Sequence, residues 1–138
     1  MKINVVLIIL MALTLPLAAQ NPDEICGIYY NVDPFSKEGS QVEFYKVAKD
    51  KYCAKVVWVE NPEKVKFLGL VCFYDVTYDA DDKEYKCGKV VYPGKNGTFK
   101  GFMSVQPDKN LKVRGYWGVS LFGKTLIWKR ESKLRPQH

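Results

Sequence analysis

Apolar and polar positions alternate most clearly between Leu111 and Arg130, LKVRGYWGVSLFGKTLIWKR. Leu111, Val113, Gly115 and Trp117 fall on one side, and Lys112, Arg114 and Tyr116 on the other. After a short connection punctuated by Gly123, Leu126, Trp128 and Arg130 oppose Thr125, Ile127 and Lys129. A period of two is that of a half-buried strand, so this stretch predicts a hairpin, the closing pair of an antiparallel barrel.

The same reading places six further strands upstream, at 26–32, 42–47, 52–60, 67–78, 84–92 and 98–106. Between them stand breakers: Asp33-Pro34 to Gly39-Ser40, Ala48 to Lys51, Asn61-Pro62-Glu63-Lys64, Asp79 to Lys83, Asn96-Gly97 and Pro107 to Asn110. Asn21 to Ile25 reads as a leader, and the polar tail after Arg130 as frayed. No helical period appears and no helix is required. The fold class is therefore all-β: a single eight-stranded, antiparallel, up-and-down β-barrel, wide enough for its own side chains or for one small ligand.

The N-terminus changes the domain picture. Lys2 precedes an uncharged apolar run, residues 5–19, ending in Ala18-Ala19. It is short for a bilayer span and has the form of a secretory signal peptide. Residues 1–19 are expected to be that signal and 20–138 the barrel domain, exported to the periplasm or secreted, and not transmembrane after processing. A net charge of +6 suits an anionic polymer or an anionic lipid surface; export argues against nucleic acid. Outside the reducing cytosol Cys26, Cys53, Cys72 and Cys87 are disulfide candidates. A turn centred between Asp79 and Ala80 sets Cys72 opposite Cys87, leaving Cys26 with Cys53; a turn centred between Pro62 and Glu63 would set Cys53 opposite Cys72 instead.

A two-residue turn at Asn96-Gly97 pairs Tyr92 with Gly101 and Val90 with Met103. That register puts Val90, Tyr92, Phe99, Met103 and Val105 on one face, assigned to the interior. Gly88, Gly101 and Gly115 lie inside strands, where glycine often marks bends in a barrel wall.

Catalytic chemistry finds little support. The only histidine is the terminal His138, so a nucleophile would lack an internal base. Asp75, Asp79, Asp81, Asp82 and Glu84 cluster about a turn without the spaced, glycine-bearing pattern of a Ca²⁺ loop. No cofactor or metal is expected.

Four stretches carry a resemblance: YCAKVVW (52–58), Leu68-Gly69-Leu70, CGKVVYP with NGTF (87–99), and above all LKVRGYWG with FGKTLIWKR. They resemble, in order and over most of the chain, the bacterial exported proteins called domain of unknown function 2147. The resemblance implies a calycin-like, lipocalin-like eight-stranded barrel and no assigned activity. Lys46 and Val47 stand where that family tends to carry a cysteine, and the loop at Asn61-Pro62 is shorter than its counterpart. Gly27-Ile28-Tyr29 is similar to the Gly-x-Trp of lipocalin first strands, and Arg130 to the last-strand cation that packs over that aromatic. Gly27, Gly115, Trp128 and Arg130 are accordingly expected to be structural.

The expected function is non-enzymatic binding of a small apolar or amphipathic molecule, in a lumen lined by Tyr29, Trp58, Val90, Tyr92, Phe99, Met103 and Trp117. The alternative is an envelope protein-interaction or stress module with a packed core, acting through its basic surface.

Overall fold

The computed structural model describes residues 21–92, 99–116 and 125–137. The expected signal peptide, the Asn96-Gly97 turn, Trp117 and His138 lie outside them. Among the described residues are eight strands: β1 Gly27–Val32, β2 Gly39–Ala48, β3 Lys51–Val59, β4 Val71–Asp79, β5 Glu84–Val90, β6 Phe99–Val105, β7 Leu111–Tyr116 and β8 Thr125–Glu131. Each pairs antiparallel with its neighbour in sequence, and β8 returns to β1 to close the barrel. Closure leaves no sheet edge unpaired.

Alternation sorts the side chains. Phe44, Tyr52, Ala54, Val76, Tyr85, Met103, Leu111 and Val113 are buried inward, while Glu43, Lys55, Lys112 and Arg114 interleave with them on the outside. In β3 and β4 an irregularity each reverses the parity. Val42 pairs with Val56 but Gln41 with Trp58, so Val57 is an extra residue in β3. Beyond that bulge Trp58 turns outward and Val59 inward, since a one-residue slip flips every later side chain. In β4 the second break falls at Asp75, whose φ is +53°.

Two short 3₁₀-helices correct the expectation that no helix is needed. Pro22–Ile25 is one, capped by the Asn21 side chain, which accepts from the Asp23 N–H at 3.0 Å. It closes the base of the barrel and buries Ile25 completely. Three inward tyrosines hold it: Tyr29 donates to the Ile25 carbonyl at 2.8 Å, Tyr52 to Asp23 Oδ1 at 2.5 Å, and Tyr85 to the Pro22 carbonyl at 2.5 Å. The other, Pro62–Phe67, is capped by Asn61 in the same way. It takes Phe67 away from the fourth strand, which starts at Val71 rather than Phe67. Proline at the first helical position, which needs no N–H, suits both helices.

The strand register after β5 also differs from expectation. Tyr85 pairs with Met103, Cys87 with Gly101 and Val90 with Phe99. The assumed pairing required an unbroken ladder up to the turn. Instead the strand ends at Val90, whose partner Phe99 lies four residues before the expected Met103, and a further register shift falls between Cys87 and Val90. Tyr92 is thereby released from the wall.

The cysteines are four free thiols. β5 sets Cys87 opposite Val76, and Cys72 lies beside Val91, whose N–H donates to its carbonyl at 2.8 Å. Cys26 and Cys53 flank opposite sides of β2, with Tyr45 paired to Cys53. Two strand spacings, about 9–10 Å, exceed the roughly 7 Å that a disulfide can bridge between Cα atoms. Cys72 and Cys87 stand on neighbouring strands but offset along them, so neither favoured pairing is formed in this structure.

The C-terminal tail is not frayed. Residues 131–137 run up the outside of the barrel across β1, β2 and β3. The Trp58 indole N–H donates to the Pro136 carbonyl at 3.0 Å, and Gln137 satisfies both the N–H and the C=O of Val59. Arg135 stacks on Tyr30 and Trp58, 4.1 and 5.3 Å from the ring centroids, while forking onto Glu131. Beneath it the fully buried Gln41 donates to Glu131 and to the Lys133 carbonyl, and accepts from the Arg135 N–H.

Candidate ligand-binding site

The barrel is filled at its base and open at the other end. Tyr29, Tyr52 and Tyr85 occupy the base. Above them Phe44 stacks on Phe73 with centroids 5.4 Å apart, Phe73 meets Trp128 edge-on at 5.5 Å, and Tyr29 meets Phe44 edge-on at 5.6 Å. Over this aromatic layer lies a cavity of about 160 Å³. Phe73 and Trp128 line its floor, and its walls come from Val42, Val56, Val59, Cys72, Val91 and Leu126. The β1–β2 loop, the second 3₁₀-helix and Tyr92 form the mouth.

The mouth is polar, and its charges are committed. Asp33 Oδ1 accepts the N–H groups of Phe35 and Ser36 at 2.7 and 3.2 Å, and its Oδ2 accepts the Tyr92 hydroxyl. Glu38 pairs with Lys64 at 2.7 Å and accepts from the Asn61 amide at 3.1 Å. Lys64, then Asn61, hold its carboxyl below the ordinary range. Inside the rim Asn31 and Ser40 face each other across β1 and β2. Ser40 Oγ donates to Asn31 Oδ1, and Asn31 Nδ2 to the Ser40 carbonyl, both at 3.3 Å.

Neither buried thiol is arranged as a nucleophile. Burial pushes the Cys72 thiol up to about 12 and the Cys87 thiol up to about 11. Cys72 is bonded to the Ala54 carbonyl, and Cys87 to the carbonyls of Tyr74 and Lys89. A reactive cysteine needs the opposite shift. Among the described residues no group of three or more His, Cys, Asp or Glu side chains could hold a metal. The Asp79 turn is self-contained: Asp79 accepts the N–H groups of Asp81 and Asp82, and Lys86 bridges Asp79 and Asp82.

Comparison with known proteins places the architecture. A family model described as "Uncharacterized protein conserved in bacteria (DUF2147)" matches residues 27–130. The chain belongs to that family. No curated protein matches it. Among solved structures it is similar to protein HP1028 from the human pathogen Helicobacter pylori, described as belonging to the lipocalin family. The TM-score is 0.60 at 20% identity, over 78% of this chain and 83% of that chain. At that identity the likeness is one of fold: a lipocalin-like barrel. No helix among the described residues is long and apolar enough to cross a membrane.

The residues expected to line the lumen of this DUF2147 barrel divide. Tyr92 lines the cavity. Tyr29, Val90 and Met103 point inward but are 0–1% exposed, packed in the filled part. Trp58 is a correction: the β3 bulge turns it outward, under the tail. Phe99 opens β6 opposite Val90, and Trp117 lies outside the described residues.

Of the positions expected to be structural, Trp128 is also a floor residue of the cavity. Arg130 sits 5.0 Å over the Tyr29 ring. It donates to the Glu24 carbonyl, the Tyr29 hydroxyl and the Cys26 carbonyl at 3.0, 2.7 and 2.6 Å. Gly27, at φ +144°, leaves room for it: a Cβ there would lie 2.7 Å from Arg130 Nη2. Gly115 pairs with Gly101 between β7 and β6.

Sequence reasoning missed Val42, Val56, Phe73 and Leu126 as lining residues, and the whole 31–38 rim. The one available signal was the Asp33-Pro34 loop, which marked a barrel end without saying which end was open.

Proposed function

We propose that the barrel binds a small apolar or amphipathic molecule at its open end, without a catalytic step. The observation that carries this reading is the change of filling along the axis. Aromatic side chains pack the lower barrel, and a cavity with an apolar floor and walls opens above them under a polar rim. Apolar cavities of comparable size take up ring-sized guests; an engineered one of about 150 Å³, lined by aliphatic and aromatic side chains, binds benzene. Each buried methylene of a guest contributes roughly 0.8 kcal/mol. The apolar run at residues 5–19 adds export to the periplasm or beyond to the same reading.

A surface-acting module is less well supported. Outer cations are interleaved with acids, as in Lys46–Asp23, Lys109–Glu24 and Arg114–Glu84, which weakens any field that would attract an anionic polymer or lipid surface.

Titration with toluene, followed by backbone amide NMR, tests the binding reading. Shifts confined to Val42, Val56, Phe73, Val91 and Leu126 are expected. Val56→Phe, which fills the cavity, should abolish them while leaving the melting transition in place. Toluene shifts spread evenly over the surface, or unchanged in the filled variant, would sink the proposal.

A further inference from the structure

We infer that the guest is a neutral molecule about one ring in size carrying a single hydroxyl group, and that Asn31 and Ser40 form its polar subsite. This rests on the binding reading above and narrows it to a chemical class.

The first reason is the state of the charges at the mouth. Asp33 is satisfied by two backbone N–H groups and the Tyr92 hydroxyl, and Glu38 by Lys64 and Asn61. A charged head group entering here would lose water and find its natural counter-charges already engaged, which leaves its desolvation uncompensated.

The second reason is a polar pair on the inner wall that, among the described residues, has capacity to spare. Asn31 and Ser40 share the inward face with Val59, because Ser40 pairs with Asn31 on one side and Val59 on the other. All three line the cavity. An asparagine amide offers two N–H donors and two lone pairs, and a serine hydroxyl one donor and two lone pairs. Asn31 spends one N–H on the Ser40 carbonyl and one lone pair on Ser40 Oγ, and Ser40 spends its one donor in return. One N–H and one lone pair of Asn31 remain, together with the lone pairs of Ser40 Oγ. That set asks for a group that both donates and accepts from one atom, which is a hydroxyl. Carboxylates cannot donate, ammonium groups cannot accept, and a pure hydrocarbon would leave the pair unmatched.

The third reason is position. Asn31 and Ser40 are partly exposed at the mouth, with the apolar walls leading down to Phe73 and Trp128. A guest with its ring on the floor and its hydroxyl directed outward spans this arrangement.

The test is a matched series of equal ring size: benzyl alcohol, toluene, benzoate and benzylamine, titrated against the full chain, with the Asn31 side-chain amide and the Trp128 indole N–H observed by NMR. Benzyl alcohol should bind about tenfold tighter than toluene, the size of one net hydrogen bond, shift both signals, and outcompete both charged analogues. Asn31→Leu and, as a milder change, Ser40→Ala should remove the preference for the alcohol while retaining toluene. Equal affinity for toluene and benzyl alcohol, tighter binding of benzoate or benzylamine, or a preference that survives both substitutions would overturn the subsite while leaving the cavity reading intact. Absence of binding by all four compounds would overturn both.

Discussion

At the scale of single residues, Arg130 shows how one side chain can serve two ends of the chain. It comes from β8, crosses the base, and bonds to the Glu24 and Cys26 carbonyls and the Tyr29 hydroxyl at the other terminus. Its ring contact with Tyr29 adds a cation–π attraction. Position and residue type were legible in the motif Trp128-Lys129-Arg130, because alternation put Arg130 on the inward side. Its place over Tyr29 was legible too, through the likeness to lipocalin first and last strands; the bond to the Glu24 carbonyl was not, since Glu24 belongs to the segment read as a leader. Arg130→Met keeps the length and removes every donor, stranding its three acceptors in a largely dry site. We expect a loss of about 2–4 kcal/mol, read as a lower urea midpoint with an unchanged denaturant slope. A change below about 0.5 kcal/mol, the size of an ordinary surface substitution, would show that water takes over the role.

At the scale of elements, the tail from Glu131 to Gln137 acts as an outer strap. β1 and β8 are joined at only three register positions, Ile28–Glu131, Tyr29–Arg130 and Tyr30–Lys129. The strap extends that closure over β2 and β3 and covers Trp58, which is 6% exposed. Its composition, polar with one proline, gave no hint of order. The ordering depends on partners far away in sequence: Gln41, Trp58 and Val59 meet it only once the β3 bulge has turned Trp58 outward. Removing residues 132–137 should uncover Trp58 and leave the buried Gln41 amide without its Lys133 and Arg135 partners. A red-shifted tryptophan emission and a loss of about 2–4 kcal/mol are expected, with the Trp58→Phe background removing the spectral change. A truncated protein with native emission and stability would show that the strap contributes nothing.

At the scale of the whole molecule, buried phenols and thiols and ion-paired carboxylates set a window of stability in pH. Burial raises the folded values of Tyr29 to about 12, Cys72 to about 12 and Cys87 to about 11, and raises those of Tyr52 and Tyr85. All five are neutral in the fold and ionise more readily once unfolded. Their contribution is therefore complete below their unfolded values, near 9 for thiols and 10 for phenols, and is lost as pH climbs toward 12. On the acid side, Asp23, Glu38, Asp79 and Glu131 are held low, first by Tyr52, Lys64, Lys86 and Arg135 respectively. Their contribution is present above the ordinary carboxylate range and disappears as pH falls. Urea midpoints measured from pH 3 to 11 should form a plateau between about 5 and 9, with the alkaline arm shallower in Cys72→Ala. An alkaline arm absent altogether would contradict the buried, neutral phenols and thiols.

The order of eight strands, the antiparallel meander and the all-β class were set by the sequence alone, because a period of two and punctuating Pro, Gly, Asn and Asp act over a few neighbouring residues. Four short motifs, the closing hairpin above all, also indicated the family. Which side chains face the cavity was decided only in three dimensions. One extra residue at Val57 sends Trp58 out and Val59 in, the β5–β6 ladder is set from Val90 and Phe99 with a further shift between Val90 and Cys87, and three tyrosines turn a leader into a base. Parity along a strand is a running count, so a single local bulge resets it for everything beyond, and whether a bulge forms depends on the neighbouring strand rather than on the bulged one.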